Sequence, residues 1–141
     1  MTNQIYPCLW FDNQAQAAAK FYCYIFEKSK ITEDNQMVVS FELNGNQFMA
    51  LNGGPQYKFN EAVSFVIDCA TQQEIDHYWN NLTAEGGSEG NCGWLKDKFG
   101  VSWQIVPAIL PELLRDREKA PKVIEVYSKM KKFNIQELQN A

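Results

Sequence analysis

Apolar and polar positions along this chain follow two rhythms, and both rhythms recur. Ile5-Tyr6-Pro7-Cys8-Leu9-Trp10-Phe11 is a short run closed by Asp12, and Glu61-Ala62-Val63-Ser64-Phe65-Val66-Ile67 is a second run closed by Asp68. Runs of this length bounded by turn residues predict strands, and the closing Asp suits the entry of a helix. A spacing near 3.6 residues then takes over. Ala15 to Phe26 carries Ala18, Phe21, Tyr22, Ile25 and Phe26, and Thr71 to Leu82 carries Ile75, Tyr78, Trp79 and Leu82, each the stripe of a helix lying on a sheet. A displacement of 56 residues superposes the two runs and brings Tyr22 onto Tyr78.

The recurrence continues beyond the helices at a displacement of 55, which lays Phe41 to Leu51 over Lys96 to Val106 and Gly45 over Gly100. Asn44-Gly45 between Met37-Leu43 and Asn46-Leu51 predicts a tight hairpin, because both turn positions need positive φ. Each half therefore reads strand, helix, then antiparallel strands. The halves, residues 1–55 and 56–107, meet at the turn sequence Asn52-Gly53-Gly54-Pro55, too short for a flexible linker. Residues 108–141 form a tail. Pro111 suits a helix start, Ile124, Tyr127 and Met130 make a stripe reaching Phe133, and Asn134 with Glu137 resembles a capping box. The lysines Lys129, Lys131 and Lys132 read as the solvated end of a helix.

Composition narrows the class. With 141 residues, 45% of them hydrophobic, the chain has the size and apolar content of a single globular domain. A net charge of −4 argues against nucleic acid or an anionic membrane surface as partner. No apolar run approaches a membrane span, and Met1-Thr2-Asn3-Gln4 lacks the basic and apolar regions of a secretory signal, so a cytoplasmic location is expected. Cys8, Cys23, Cys69 and Cys92 have no metal-type spacing and are expected to be small buried side chains. His77, the sole histidine, falls on the second helix pattern and reads as structural.

The doubled βαβββ pattern resembles the vicinal oxygen chelate superfamily of glyoxalases, extradiol dioxygenases and bleomycin-resistance proteins. Leu9-Trp10-Phe11-Asp12, Phe21-Tyr22, Phe48 to Pro55, Phe59 to Phe65 and the long segment from Cys92 to Pro107 resemble its PhnB-like branch, which commonly carries the label 3-demethylubiquinone-9 3-methyltransferase. The resemblance implies an α+β fold: two tandem βαβββ modules forming a curved, barrel-like mixed sheet around a cleft, helices outside, and commonly a homodimer. The methyltransferase label itself is not supported by the residues. A usual methyl-donor site needs a glycine-rich strand-to-helix turn, whereas Gly53-Gly54 and Gly86-Gly87 read as ordinary turn glycines.

The resemblance also implies a divalent metal held by His or Glu on the first strand and Glu on the last strand of each half. Those positions fall on Ile5 and Glu61, and on Met49 and Gln104. Isoleucine offers no donor and methionine only a soft one, so no metal is expected; any that bound would rest on Glu61 and Gln104. Strand alternation counted from Ile5 places Pro7, Leu9, Phe11, Met49, Leu51, Glu61, Val63, Phe65, Ser102 and Gln104 in a ligand cleft, and Cys8, Trp10, Phe48, Ala50, Trp103 and Ile105 under the helices. Three functions follow in order. The first is a binding module, or an enzyme of unspecified reaction, that encloses a small organic ligand without metal or other cofactor, with Glu61 and Gln104 orienting it. The second is a metal-assisted glyoxalase- or dioxygenase-type enzyme, and the third a structural dimer whose cleft is filled by side chains or by the tail.

Overall fold

The structure is a computed structural model, and it describes residues 2–141; Met1, which opens the segment read above for a leader, lies outside the described residues. The chain forms two compact units, one ending at Phe59 and the other running from Asn60 to Ala141.

The first unit contains β1 (Cys8–Phe11), α1 (Ala15–Ile25), β2 (Ser29–Asp34), β3 (Val38–Leu43) and β4 (Asn46–Asn52). Its sheet runs β1-β4-β3-β2, with β1 parallel to β4 and the other pairs antiparallel. The β3–β4 hairpin turns at Asn44 (φ 50°) and Gly45 (φ 83°), the double positive φ its sequence predicts. Helix α1 lies against β2, β3 and β4 and buries Ala15, Ala18, Ala19, Tyr22 and Ile25. Tyr22 stacks on Phe41 at 6.2 Å, and Phe41 on Phe48 at 5.5 Å. The unit ends at Phe59 rather than at the glycine turn because Tyr57 and Phe59 fold back, edge-on to Trp10 and Phe11 at 5.0 and 5.3 Å.

The second unit repeats the order with β5 (Ser64–Cys69), α2 (Gln72–Leu82), β6 (Ser88–Glu89), β7 (Trp94–Lys96) and β8 (Ser102–Pro107), its sheet running β5-β8-β7-β6 with β5 parallel to β8. The class is α+β. The eight strands pair as two four-stranded mixed sheets, with no closed barrel among the described residues. Within α2 the buried residues are Ile75, Trp79 and Leu82, matching Ala18, Tyr22 and Ile25 of α1 at a displacement of 57. Trp79, not Tyr78, is therefore the counterpart of Tyr22. The helix entries also depart from expectation. Asp68 sits inside β5, and Thr71 caps α2 through a capping box with Glu74. The side chain of Asn52 supplies the acceptor for the first turn of α1, taking the Ala15 N–H at 2.9 Å.

The tail belongs to the second unit and is three helices: α3 (Leu110–Arg115), α4 (Ala120–Tyr127) and α5 (Ile135–Gln139). Met130 and Phe133 are buried as the stripe predicts, but its first position is Val123 and not Ile124, which is 46% exposed. Helix α4 stops at Tyr127, which leaves Lys129, Lys131 and Lys132 beyond it; Lys132 pairs with Asp76 of α2 at 2.8 Å. The Cys92 and Gly93 N–H groups donate to Met130 and Lys131 carbonyls at 2.8 Å. Gln72 brackets the start of α5, donating to the Phe133 carbonyl at 3.0 Å and accepting from Ile135 N–H at 2.9 Å. Asn134 caps α5 by accepting from Glu137 N–H. All four cysteines are free, and only Cys69 is buried; Cys8 is exposed, and Cys23 and Cys92 are half-buried. No helix among the described residues is long and apolar enough to cross a membrane.

Candidate functional site

The second sheet has one face against α2 and an opposite face that is open at Val66 and Asp68 and closed over Ser102. Phe65, Ile67 and Cys69 share the helix-side face with their register partners Trp103, Ile105 and Pro107, and Phe65 and Trp103 touch at 5.4 Å. The open face carries Ser64, Val66 and Asp68 on β5, Ser102, Gln104 and Val106 on β8, and Trp94 and Lys96 on β7. Two rows cross it. Ser64, Ser102 and Lys96 are in register, and so are Val66, Gln104 and Trp94, which makes each row a set of side-chain neighbours.

Asp97 sets this register. It is buried at 2% exposure; its Oδ1 accepts from Phe99 and Val101 N–H at 2.9 and 3.1 Å, and its Oδ2 from Trp103 Nε1 at 2.9 Å. The carboxylate folds the segment between β7 and β8 into a five-residue turn containing Gly100 (φ 91°), and so brings Lys96 opposite Ser102.

Polar groups concentrate on the first row. Gln104 Nε2 donates to Ser64 Oγ at 3.0 Å. Lys96 forms an ion pair with Glu61, which lies in the turn before β5, and its ammonium holds the Glu61 carboxyl below the usual carboxylate range, helped by the Glu61 backbone N–H. Ser102 is 1% exposed, and its hydroxyl has no hydrogen-bond partner. A buried hydroxyl left unmatched costs about 1–3 kcal/mol, so Ser102 Oγ is the one polar atom of this row whose bonding the described protein groups do not satisfy.

The remaining sequence-derived positions divide. In the first unit Met49 and Leu51 lie on the face away from α1, in register with Cys8 and Trp10. Leu9 and Phe11 do not. Leu9 is in register with Ala50 and is buried with it on the α1 side, as is Phe11, so their assignment to a cleft is corrected. The count from Ile5 took the strand as continuous from that residue and put Trp10 under the helix. The strand begins at Cys8, and the Trp10 indole instead meets the glycine turn, donating from Nε1 to the Gly54 carbonyl at 2.9 Å. Ile5 is 95% exposed outside β1, and Pro7 is half-buried with its carbonyl accepting from Met49 N–H. Val63 is 66% exposed ahead of β5, and Phe65 faces α2. The parallel register aligns Cys8 with Val66 at a displacement of 58, so the first strands slip by two residues from the sequence superposition while keeping the same alternation.

Lys96, Ser64 and Trp94 were missed. The available signal was the alternation Trp94-Leu95-Lys96, in which a buried Leu95 puts both flanking residues on the other face. His77 is exposed on α2, edge-on to Tyr78.

The donor set fits a hard divalent ion poorly. Of the four strand positions a chelating fold would use, two carry Ile5 and Met49, the one carboxylate is neutralised by Lys96, and Gln104 offers only a neutral amide oxygen. Among the described residues no three His, Cys, Asp or Glu side chains converge. Neither strand-to-helix turn contains a glycine: residues 12–14 are Asp12, Asn13 and Gln14, and residues 70–71 are Ala70 and Thr71, so no phosphate- or donor-binding loop opens either helix.

Two consecutive βαβββ units, each with its first strand parallel to its last, define a protein of the glyoxalase-like, vicinal oxygen chelate fold. The chain belongs to the family described as 3-demethylubiquinone-9 3-methyltransferase, whose model matches residues 3–106. Among solved structures it is similar to a PhnB protein from Bacillus cereus that carries the same methyltransferase label, with 29% identity and a TM-score of 0.68 over 75% of this chain and 100% of that one. The fold is shared with a glyoxalase-related enzyme from Fulvimarina pelagi (16% identity, TM-score 0.56, covering 75% of this chain and 88% of that one). It is shared also with a glyoxalase/bleomycin resistance protein from Albidiferax ferrireducens (12%, 0.54, covering 72% and 95%). No curated protein matches the chain.

Proposed function

We propose that this PhnB-like protein binds a small organic ligand on the open face of its second sheet and does so without the metal of its superfamily. The observation that carries the reading is the buried, unpartnered Ser102 hydroxyl, set between Ser64 and Lys96 and next along β8 to Gln104. A few convergent polar groups beside apolar wall such as Trp94 and Val66 are what an organic ligand needs for orientation and burial. Neutralisation of Glu61 by Lys96 supports metal independence, since a metal would have to strip that pair apart and then find its other ligands in water. The absence of glycine from both strand-to-helix turns speaks against methyl transfer from a donor held in the usual way.

Thermal-shift screening of the full chain tests the reading with an organic-acid, phenol and amide panel and, separately, manganese, nickel and zinc chlorides. Stabilisation by an organic compound that Ser102→Ala abolishes, with no effect of chelator, is the expected result. Stabilisation by metal alone, lost in Glu61→Gln and Gln104→Ala, would overturn it in favour of metal-assisted chemistry.

A further inference from the structure

Ser64, Ser102 and Lys96 form a row of donors. Lys96 brings three N–H groups and a positive charge, and each serine an O–H. Because Ser64 Oγ already accepts from Gln104, its own proton is the part left to give, and the Ser102 hydroxyl is unpartnered. The group that meets Lys96 is a carboxylate, that of Glu61, on a turn and with a side chain 60% exposed. An exposed ion pair is weak, so parting Lys96 from Glu61 costs an incoming carboxylate little. A single lysine flanked by hydroxyls matches one negative charge with one positive charge, and the group it already meets is a carboxylate.

We propose that this row recognises the carboxylate of a small organic acid, with Lys96 and Ser102 meeting its two oxygens and Glu61 acting as the built-in occupant that the ligand displaces. The proposal rests on the ligand-binding reading above and narrows it to one chemical class.

Calorimetric titration of the full chain at neutral pH and low salt is the test, using sodium benzoate and sodium pyruvate, each paired with its uncharged amide. Each acid is expected to bind at least about tenfold more tightly than its amide, a difference of about 1.4 kcal/mol. Glu61→Gln should tighten the acids several-fold by removing the competitor. Lys96→Gln should erase the preference for acid over amide and Lys96→Arg should keep it, with melting curves confirming that each variant is folded. Ser102→Ala should weaken both acids. Equal binding of acid and amide, unchanged affinity in Glu61→Gln, or binding only of other panel compounds overturns carboxylate recognition and leaves the ligand site standing. No binding by any of the four compounds or by the wider panel overturns both.

Discussion

Asn52, at the end of β4, caps a helix that starts 37 residues earlier in the chain: its Oδ1 accepts the Ala15 N–H at 2.9 Å, while its Nδ2 donates to Gln36 O at 2.7 Å and Gln16 Oε1 at 3.0 Å. Gln14, at the local cap position, makes no side-chain cap bond. Asn52→Ala should cost about 0.5–2 kcal/mol, the usual range for a lost cap, and Asn52→Asp less, because the acceptor survives. Urea unfolding of the two variants beside the parent measures both.

The glycine turn is held by Trp10. A Cβ at Gly53 would sit 2.3 Å from the indole, so the Trp10 ring would have to move. Gly53→Ala should destabilise by about 1–3 kcal/mol, the ordinary cost of overpacking. Trp10→Leu removes the clash and also the bond to the Gly54 carbonyl, so the two substitutions should be strongly non-additive in a double-mutant cycle.

Asp97 carries the turn that aligns Lys96 with Ser102. Asp97→Ala leaves the Val101 N–H and Trp103 Nε1 without that acceptor in a buried setting, and about 3 kcal/mol of stability should be lost. If the candidate site depends on this register, the variant should lose ligand-induced thermal stabilisation even at temperatures where circular dichroism finds it folded.

The tail should loosen in acid. Lys132, and secondarily Gln72, hold the Asp76 carboxyl below its ordinary value of 3.8. A carboxyl lowered on folding contributes stability that is present above its unfolded value and is lost as pH falls through the folded one. Stability should therefore fall below about pH 4, and Asp76→Asn should flatten that part of the profile. Hydrogen exchange at the Ile135 and Leu138 amides locates the change in the tail.

Thiol labelling should separate the cysteines. Burial, with Glu74 and Asp68 nearby, pushes the Cys69 thiol up to about 12, so it stays protonated and unreactive in the native protein. Cys8 is exposed, although partial burial of its thiol pushes it up as well. Iodoacetamide at mildly alkaline pH should modify Cys8 well before Cys69 and reach Cys69 only in denaturant, as peptide mapping would show.

Much of this architecture is legible in local pattern. Asn44-Gly45 demands its hairpin through positive φ, the stripes of Ala15 to Phe26 and Thr71 to Leu82 demand helices, and the doubling exposes two copies of one plan, because these signals depend on residues close in the chain. Strand facing was harder. Alternation decides that Leu9 and Phe11 share a side but not which side, and the parallel register Leu9↔Ala50, formed across 41 residues, settled it against the count from Ile5. The candidate site follows the same division. Ser102 and Gln104 were reachable from the glycine of their turn, whereas Lys96 became their neighbour only through a five-residue turn folded around Asp97. By itself the sequence determined the elements, their order and the poverty of metal donors, all properties of residue type and short spacing. Only the tertiary structure decided which faces are covered and which charges meet, because register and pairing are set by hydrogen bonds between segments far apart in the chain.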